Sequence, residues 1–267
     1  MSPSADIPRI DHHRAGASLR VVLSNPARAN ALTHEMLRDL TSLLESPEAA
    51  SGASVVLTGA GDRHFCAGLD LAGVAADDLV AHLRAGEDLL FAVSEAVVRC
   101  RRPVVAAVGG SAVGGGLELA MACDWRIAAA EARLAMPAAR LGVVYSPAGL
   151  RRALALMGPA RTRRLFLTGR PVMADEALAL GLVDQVVPRD ALAEAVDRAA
   201  DDLAAMSPTA VEGTRAIIRA LETADPQAEE VAQTWRERAF AGPDLAEGLR
   251  AFSEGRPPAH RIRDSAP

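Results

Sequence analysis

Hydrophobic residues fall along this chain in two spacings that alternate. Residues 19–24 (L-R-V-V-L-S), 54–58 (S-V-V-L-T), 104–108 (V-V-A-A-V) and 124–129 (D-W-R-I-A-A) are short, mostly apolar runs, which predicts buried strands. Between them the apolar positions recur with helical period. Thr33 stands as an N-cap ahead of Met36, Leu37, Leu40, Leu43 and Leu44; residues 73–100 turn into a helix mixing Leu/Val with charge; residues 117–122 read as a Leu/Ala-rich helix. Strand and helix repeated in this way predict an α/β fold with mainly parallel strands. Residues 134–149 read as loop-rich, Pro147 starts a helix to about Met157, and 168–187 read as turn, short helix, glycine stop and strand. From Asp190 the period is helical almost to the end, interrupted at Ser207-Pro208, Asp225-Pro226 and Gly242-Pro243. The expected organisation is a core over residues 1–189 and a helical region over 190–267. Residues 1–16 lack periodicity and are expected to form a loose arm carrying exposed His12 and His13, and 255–267 to fray.

Composition narrows function more than fold. A chain of 267 residues can bury a sizeable core, and 50% hydrophobic residues without an apolar run of membrane-spanning length lead us to expect a soluble, cytoplasmic protein with no membrane partner. A formal charge of −5 and 3% aromatic residues disfavour nucleic acid as a partner, which a basic field and stacking side chains would hold. Every basic residue is arginine, so Schiff-base chemistry, pyridoxal phosphate anchoring and a phosphate-loop lysine are excluded. Arginine still suits an anion such as a nucleotide 3′-phosphate. Cys66, Cys100 and Cys123 are too scattered for a disulfide framework or a metal site. Arg151, Arg152, Arg161, Arg163 and Arg164 cluster after Pro147 and are expected to form a solvated face with some subunit contacts.

The chemistry concentrates after the run at 104–108, in G-G-S-A-V-G-G-G-L-E-L-A-M-A-C-D. Gly114, Gly115 and Gly116 suit a backbone that a ligand approaches closely, or one that needs positive φ. Glu118 follows one turn into the helix, so a free N–H at a helix start and a carboxylate lie together, as enolate chemistry requires. A tight turn feeding a buried helix with a hydrogen-bonded glutamate explains the same residues. A dinucleotide site is disfavoured, because the spacing is not G-x-G-x-x-G and no acid stands about 20 residues on.

Five motifs in order resemble the enoyl-CoA hydratase/isomerase, or crotonase, superfamily over nearly the whole chain. They are N-P-A-R-A-N-A-L, V-V-L-T-G-A-G-D-R-H-F-C-A-G-L-D-L, P-V-V-A-A-V-G-G-S-A-V-G-G-G-L-E-L-A-M-A-C-D, L-T-G-R-P-V-M-A-D-E-A-L-A-L-G-L-V-D-Q-V-V and E-G-L-R-A-F. The resemblance implies a crotonase-like ββα spiral core with a C-terminal helical trimerisation region, assembled as a homotrimer or dimer of trimers. It implies an acyl-CoA substrate with no separate cofactor, coenzyme A entering as part of the substrate. The family's two carbonyl-polarising N–H groups match Leu69 and Gly115, and positions that hold coenzyme A match Arg28, Ala31, Cys66, Ala67, Gly68, Asp70 and Gly114.

Glu118 matches the first of two family glutamates that manage water and protons in hydration. The second falls at Ala138, and the carboxylate site of some isomerases and dehalogenases falls at Ser146, so two-carboxylate hydration is expected to be impaired. Tyr145, the only tyrosine, stands in L-G-V-V-Y-S and resembles the L-G-V-P-Y segment of the family's methylmalonyl-CoA decarboxylases; a packing role explains it equally. The expectation is an enolate-forming enzyme of the hydratase/isomerase type. Decarboxylation, isomerisation and non-catalytic acyl-CoA binding stay open beside hydration.

Overall fold

The computed structural model describes residues 7–260. The chain begins with a hairpin, β1 (Arg9–Ala15) and β2 (Ser18–Ser24), then two helices, α1 (His34–Leu44) and the short α2 (Pro47–Ala50). Three ββα turns follow: β3 (Ser54–Gly59), β4 (His64–Cys66) and α3 (Leu79–Arg99); β5 (Val104–Val108), β6 (Ser111–Val113) and α4 (Gly115–Ala122); β7 (Trp125–Ala129), β8 (Arg133–Ala135) and α5 (Pro147–Thr168). In each turn the first strand joins a six-stranded sheet, ordered β1-β2-β3-β5-β7 and closed by β10 (Gln185–Val187). The second joins a four-stranded sheet, β4-β6-β8 with β9 (Val172–Met173) at its edge. The chain thus climbs as a ββα spiral. Between β9 and β10 lies α6 (Ala174–Leu180), and α7 (Leu192–Ala204), α8 (Pro208–Glu222), α9 (Ala228–Ala241) and α10 (Pro243–Glu254) form the C-terminal helical region.

The large sheet is parallel except for the β1/β2 pair, and its central strands are apolar on both faces because both are covered. Leu19, Val21, Leu23, Val55, Leu57, Val104 and Ala106 point into the main core with Met36, Leu37 and Leu40 of α1. On the opposite face Val56, Val105, Ala107 and Ile127 meet Ala195 and Val196 of α7. Thr33 caps α1 as its position predicts, accepting from Met36 N at 3.1 Å.

Several sequence readings are corrected. Residues 9–15 are not a loose arm: they form β1, in antiparallel register from Arg9↔Ser24 to Ala15↔Ser18. As an edge strand β1 keeps its side chains largely in solvent, so it carries no apolar alternation. The expectation for residues 1–6 lies outside the described residues. Strand β8 and a 3-10 turn at Ala138–Leu141 occupy part of the stretch read as loop, and β4 and β6 were likewise too short for a period to register. The helix from Pro147 breaks at Gly158 (φ 73°, ψ 171°), as expected near Met157, but resumes at Pro159 and runs to Thr168. Residues 255–260 do not fray as a unit: Arg256 Nη1 reaches Glu247 Oε1 at 2.7 Å and Ala259 N donates to it at 2.9 Å. Residues 261–267 lie outside the described part.

Candidate active site

Two glycine-bearing backbone segments meet, those carrying Leu69 and Gly115. After β4 the chain turns through Gly68 (φ 95°) into Leu69, which forms a parallel bridge with Leu32: Leu32 N donates to Gly68 O at 2.7 Å and Asp70 N to Leu32 O at 2.9 Å. After β6 it turns through Gly114 (φ 54°, ψ −121°) into α4. Gly116 lies so close to β4 that a Cβ there would stand 2.3 Å from Cys66 O, a contact only glycine permits. Gly68 in turn packs directly on Gly115. Among the described residues neither Leu69 N nor Gly115 N donates to a protein acceptor, because the bridge uses the neighbours of Leu69 and Gly115 is the first residue of its helix. Helix α3 roofs this spot, with Leu90 against Gly115 and with Gly86 making room for the Leu69 side chain.

One turn along α4, Glu118 is almost fully buried, and its N–H closes the turn on Gly114 O at 2.9 Å. Tyr145 Oη donates to Glu118 Oε2 at 2.6 Å, and its ring is fixed edge-on to Phe166, 5.3 Å between centroids. Ser146 caps α5, accepting from Gly149 N at 3.2 Å. Gly149 brings that helix onto the pair: a Cβ would fall 2.6 Å from the Tyr145 ring and 3.1 Å from Glu118 Oε1. From the next turn Arg152 extends Nη1 to 3.5 Å from Glu118 Oε1 while Nη2 donates to Glu95 Oε1 of α3 at 2.6 Å.

Burial pushes the Glu118 carboxyl above its usual range; the Tyr145 hydrogen bond and the Arg152 charge oppose the rise, and Glu87 on α3 adds to it. Burial and then the Glu118 charge hold the Tyr145 phenol well above its ordinary value, so it stays a donor at neutral pH. Ala138 and Ser146 place no second carboxylate at the positions singled out in the sequence.

Of the residues matched to coenzyme A contacts, Arg28 and Ala31 lie on a turn bonded to the Cys66–Asp70 loop, and Gly114 caps α4. Arg28 is exposed on a 3-10 turn, Pro26–Arg28, and Ala29 and Asn30 follow in left-handed conformation. Asn25 Nδ2 donates to Ala31 O at 2.8 Å, Asn30 Nδ2 to His64 O at 2.8 Å, and Ala67 N to Ala29 O at 3.1 Å, so this turn and the Cys66–Asp70 loop form one ledge. Ala67 is exposed; Cys66 is sealed inside, its thiol pushed up to about 12 by burial. His82 of α3 reaches Asp70 O at 2.9 Å and stacks on His34 at 4.2 Å, bracing the loop from outside. Burial and then His82 lower the His34 pKa.

Sequence reasoning missed Arg152, Glu95 and the His34–His82 brace. Arg152 stands among arginines that read as a solvated face, and its only local sign is its place one turn after Gly149, on the helix face that meets α4. Arg164 fits the original expectation better, pairing with Glu176 at the surface. Among the described residues no group of three or more His, Cys, Asp or Glu is arranged to hold a metal, and no helix is long and apolar enough to cross a membrane.

The family model for enoyl-CoA hydratase/isomerase matches residues 14–262. The chain belongs to that family. The enoyl-CoA hydratase/isomerase fold is shared closely with a crystal structure of enoyl-CoA hydratase from Bacillus anthracis, at 33% identity and TM-score 0.87 over 95% of this chain and 99% of that one. Carnitinyl-CoA dehydratase of Proteus mirabilis (strain HI4320) is 34% identical over 93% of this chain and 96% of its own length. The 2,3-dehydroadipyl-CoA hydratase of Escherichia coli (strain K12) is 32% identical over 92% and 95%.

Proposed function

We propose that this family member binds an acyl-CoA thioester with its carbonyl oxygen between Leu69 N and Gly115 N and turns it over through an enolate. The observation that carries the reading is two unengaged N–H groups on touching segments with a buried carboxylate one helical turn away. Negative charge developing on the thioester oxygen would meet donors already oriented, an effect of about 3–4 kcal/mol per donor in comparable sites. Glu118 carries the proton to or from the carbon skeleton, and Tyr145 holds the carboxylate in place through its 2.6 Å hydrogen bond. Arg28, Ala31, Ala67, Gly68, Asp70 and Gly114 line the ledge that takes the coenzyme A portion, largely by main-chain contacts, with the buried Cys66 beneath them.

Glu118 works without a carboxylate at Ala138 or Ser146, which favours reactions that one proton carrier completes: a shift of the double bond, or protonation of the enolate left when carbon dioxide departs. Hydration, the reaction named for the hydratase relatives, is the second reading and is expected to be slow here. The helical region that begins at residue 190 joins chains into a homotrimer or dimer of trimers that works in the cytoplasm. Turnover of a panel of enoyl-CoA and malonyl-type CoA thioesters tests the reading, with deuterium uptake at the carbon beside the thioester as the mark of the enolate. Binding of the panel without turnover or exchange would leave an acyl-CoA carrier instead.

A further inference from the structure

Glu118 presents its two oxygens to different partners. Oε2 accepts from Tyr145 at 2.6 Å, and Oε1 faces Arg152 Nη1 at 3.5 Å. The second distance is within ion-pair range but too long for a hydrogen bond, and Nη1, although cut off from solvent, makes none. The guanidinium is held there from behind: Glu95 takes Nη2 at 2.6 Å, and Glu95 is steadied in turn by Arg99 at 3.3 Å. Arg152 is 14% exposed and Glu118 3%, so the attraction acts in a medium that screens it poorly.

We propose that Arg152, clamped by Glu95, is a positioning residue that keeps Glu118 charged while leaving Oε1 open, which makes Oε1 the oxygen that exchanges a proton with substrate. A guanidinium hydrogen-bonded directly to Oε1 would take up one of its lone pairs and draw off the negative charge that makes it basic. At 3.5 Å it supplies charge without taking up that lone pair. The other groups facing Glu118 do not substitute for it. Glu87 on α3 raises its proton affinity, and Tyr145, whose hydrogen bond to Oε2 opposes burial more strongly than Arg152 does, is a neutral donor that brings no charge. Strand β6 contributes no titratable side chain. Arg152 is therefore the cation that offsets burial, and Glu95 decides where it sits.

The inference rests on Glu118 being the proton carrier, and its test separates the two readings. Infrared titration of the ligand-free protein follows the Glu118 carboxyl, identified by the band lost in Glu118→Gln, and needs no knowledge of the substrate. Arg152→Gln is expected to raise its titration midpoint by about one pH unit or more, a tenfold gain in proton affinity. Arg152→Lys keeps the charge without the fork that spans two carboxylates and is expected to shift it less. Kinetics on whichever thioester is turned over should show kcat falling at low pH with KM unchanged. A Glu118 midpoint equal to wild type in Arg152→Gln, or equal shifts in the Gln and Lys variants, would overturn the proposal. If Arg152→Gln does not fold, Arg152→Lys titrating as wild type in a folded protein with reduced kcat would overturn it also. Failure of the thioester panel would remove the proposed reaction and leave the titration result standing.

Discussion

Gly68 and Gly115 touch through backbone alone: a Cβ added to Gly68 would stand 3.1 Å from Gly115 N and 3.0 Å from Val113 O. Gly68 also holds φ at 95°, which an L side chain resists. Gly68→Ala is expected to cost about 1–3 kcal/mol of stability and to reduce turnover by spreading the two N–H groups. Thermal unfolding and kcat on the same preparation check both effects.

Gly115 is the first residue of α4, where the helix does not use the N–H and the fixed φ of proline is tolerated. Gly115→Pro should lower kcat by about 10²–10³-fold by deleting one donor. Gly115→Ala keeps the donor and needs only Leu90 Cδ2, 2.9 Å away, to move, so its loss should be small. Leu69→Ala should likewise be mild, since Leu69 serves through its main chain. A proline variant at wild-type rate would show that Gly115 N does not hold the carbonyl.

Burial raises the folded-state pKa of Glu118, a rise the Tyr145 and Arg152 contacts offset in part, so folding favours its protonated form more than the unfolded chain does. That contribution is fully present below the unfolded-state pKa and is lost as pH rises through the folded one. Glu118→Gln, which still accepts from Tyr145, is therefore expected to raise Tm at pH 8 relative to wild type, to gain little at pH 4, and to abolish turnover at both. Equal Tm differences at the two pH values would mean that Glu118 carries no burial penalty.

Ala138 sits partly buried in the 3-10 turn ahead of Tyr145, at the position that the sequence resemblance matches to the family's second glutamate. Crotonyl-CoA hydration by the unmodified protein should be slow, and Ala138→Glu should raise it, since one general acid or base is worth about 10²–10⁴-fold. Fast hydration by the wild type, lost in Glu118→Gln, would show that another side chain already supplies the second group.

The helical region leaves Phe240 66%, Leu249 62% and Phe252 87% exposed, more apolar surface than one chain covers. Light scattering should find a trimer or a multiple of it, dissociated by Leu249→Asp with Phe252→Asp. A monomer at all concentrations would rule the assembly out.

Much of this was legible before any fold was known. The apolar runs at residues 54–58 and 104–108 became β3 and β5 because strands covered on both faces need apolar residues throughout, a purely local requirement. Thr33 caps α1 through a bond to Met36 N, three positions on, and Gly114, with positive φ, and Gly116, pressed on Cys66 O, mark a turn that needs glycine. The place of Glu118 one turn beyond Gly114 needed only the helical repeat.

What the sequence could not hold is which faces meet. Strands β4, β6 and β8 are three residues each, ordered by their ladder partners rather than by their own composition, and β1 is a strand only because β2 pairs with it. Tyr145 meets Glu118 across 27 positions of sequence and Arg152 meets Glu95 across 57, both because Gly149 lets α5 press against α4 and α3. An arginine among arginines has no local mark of burial. Arg152 became part of the site when packing removed water from its guanidinium and left two carboxylates as its partners, a choice made between elements and not within any one of them.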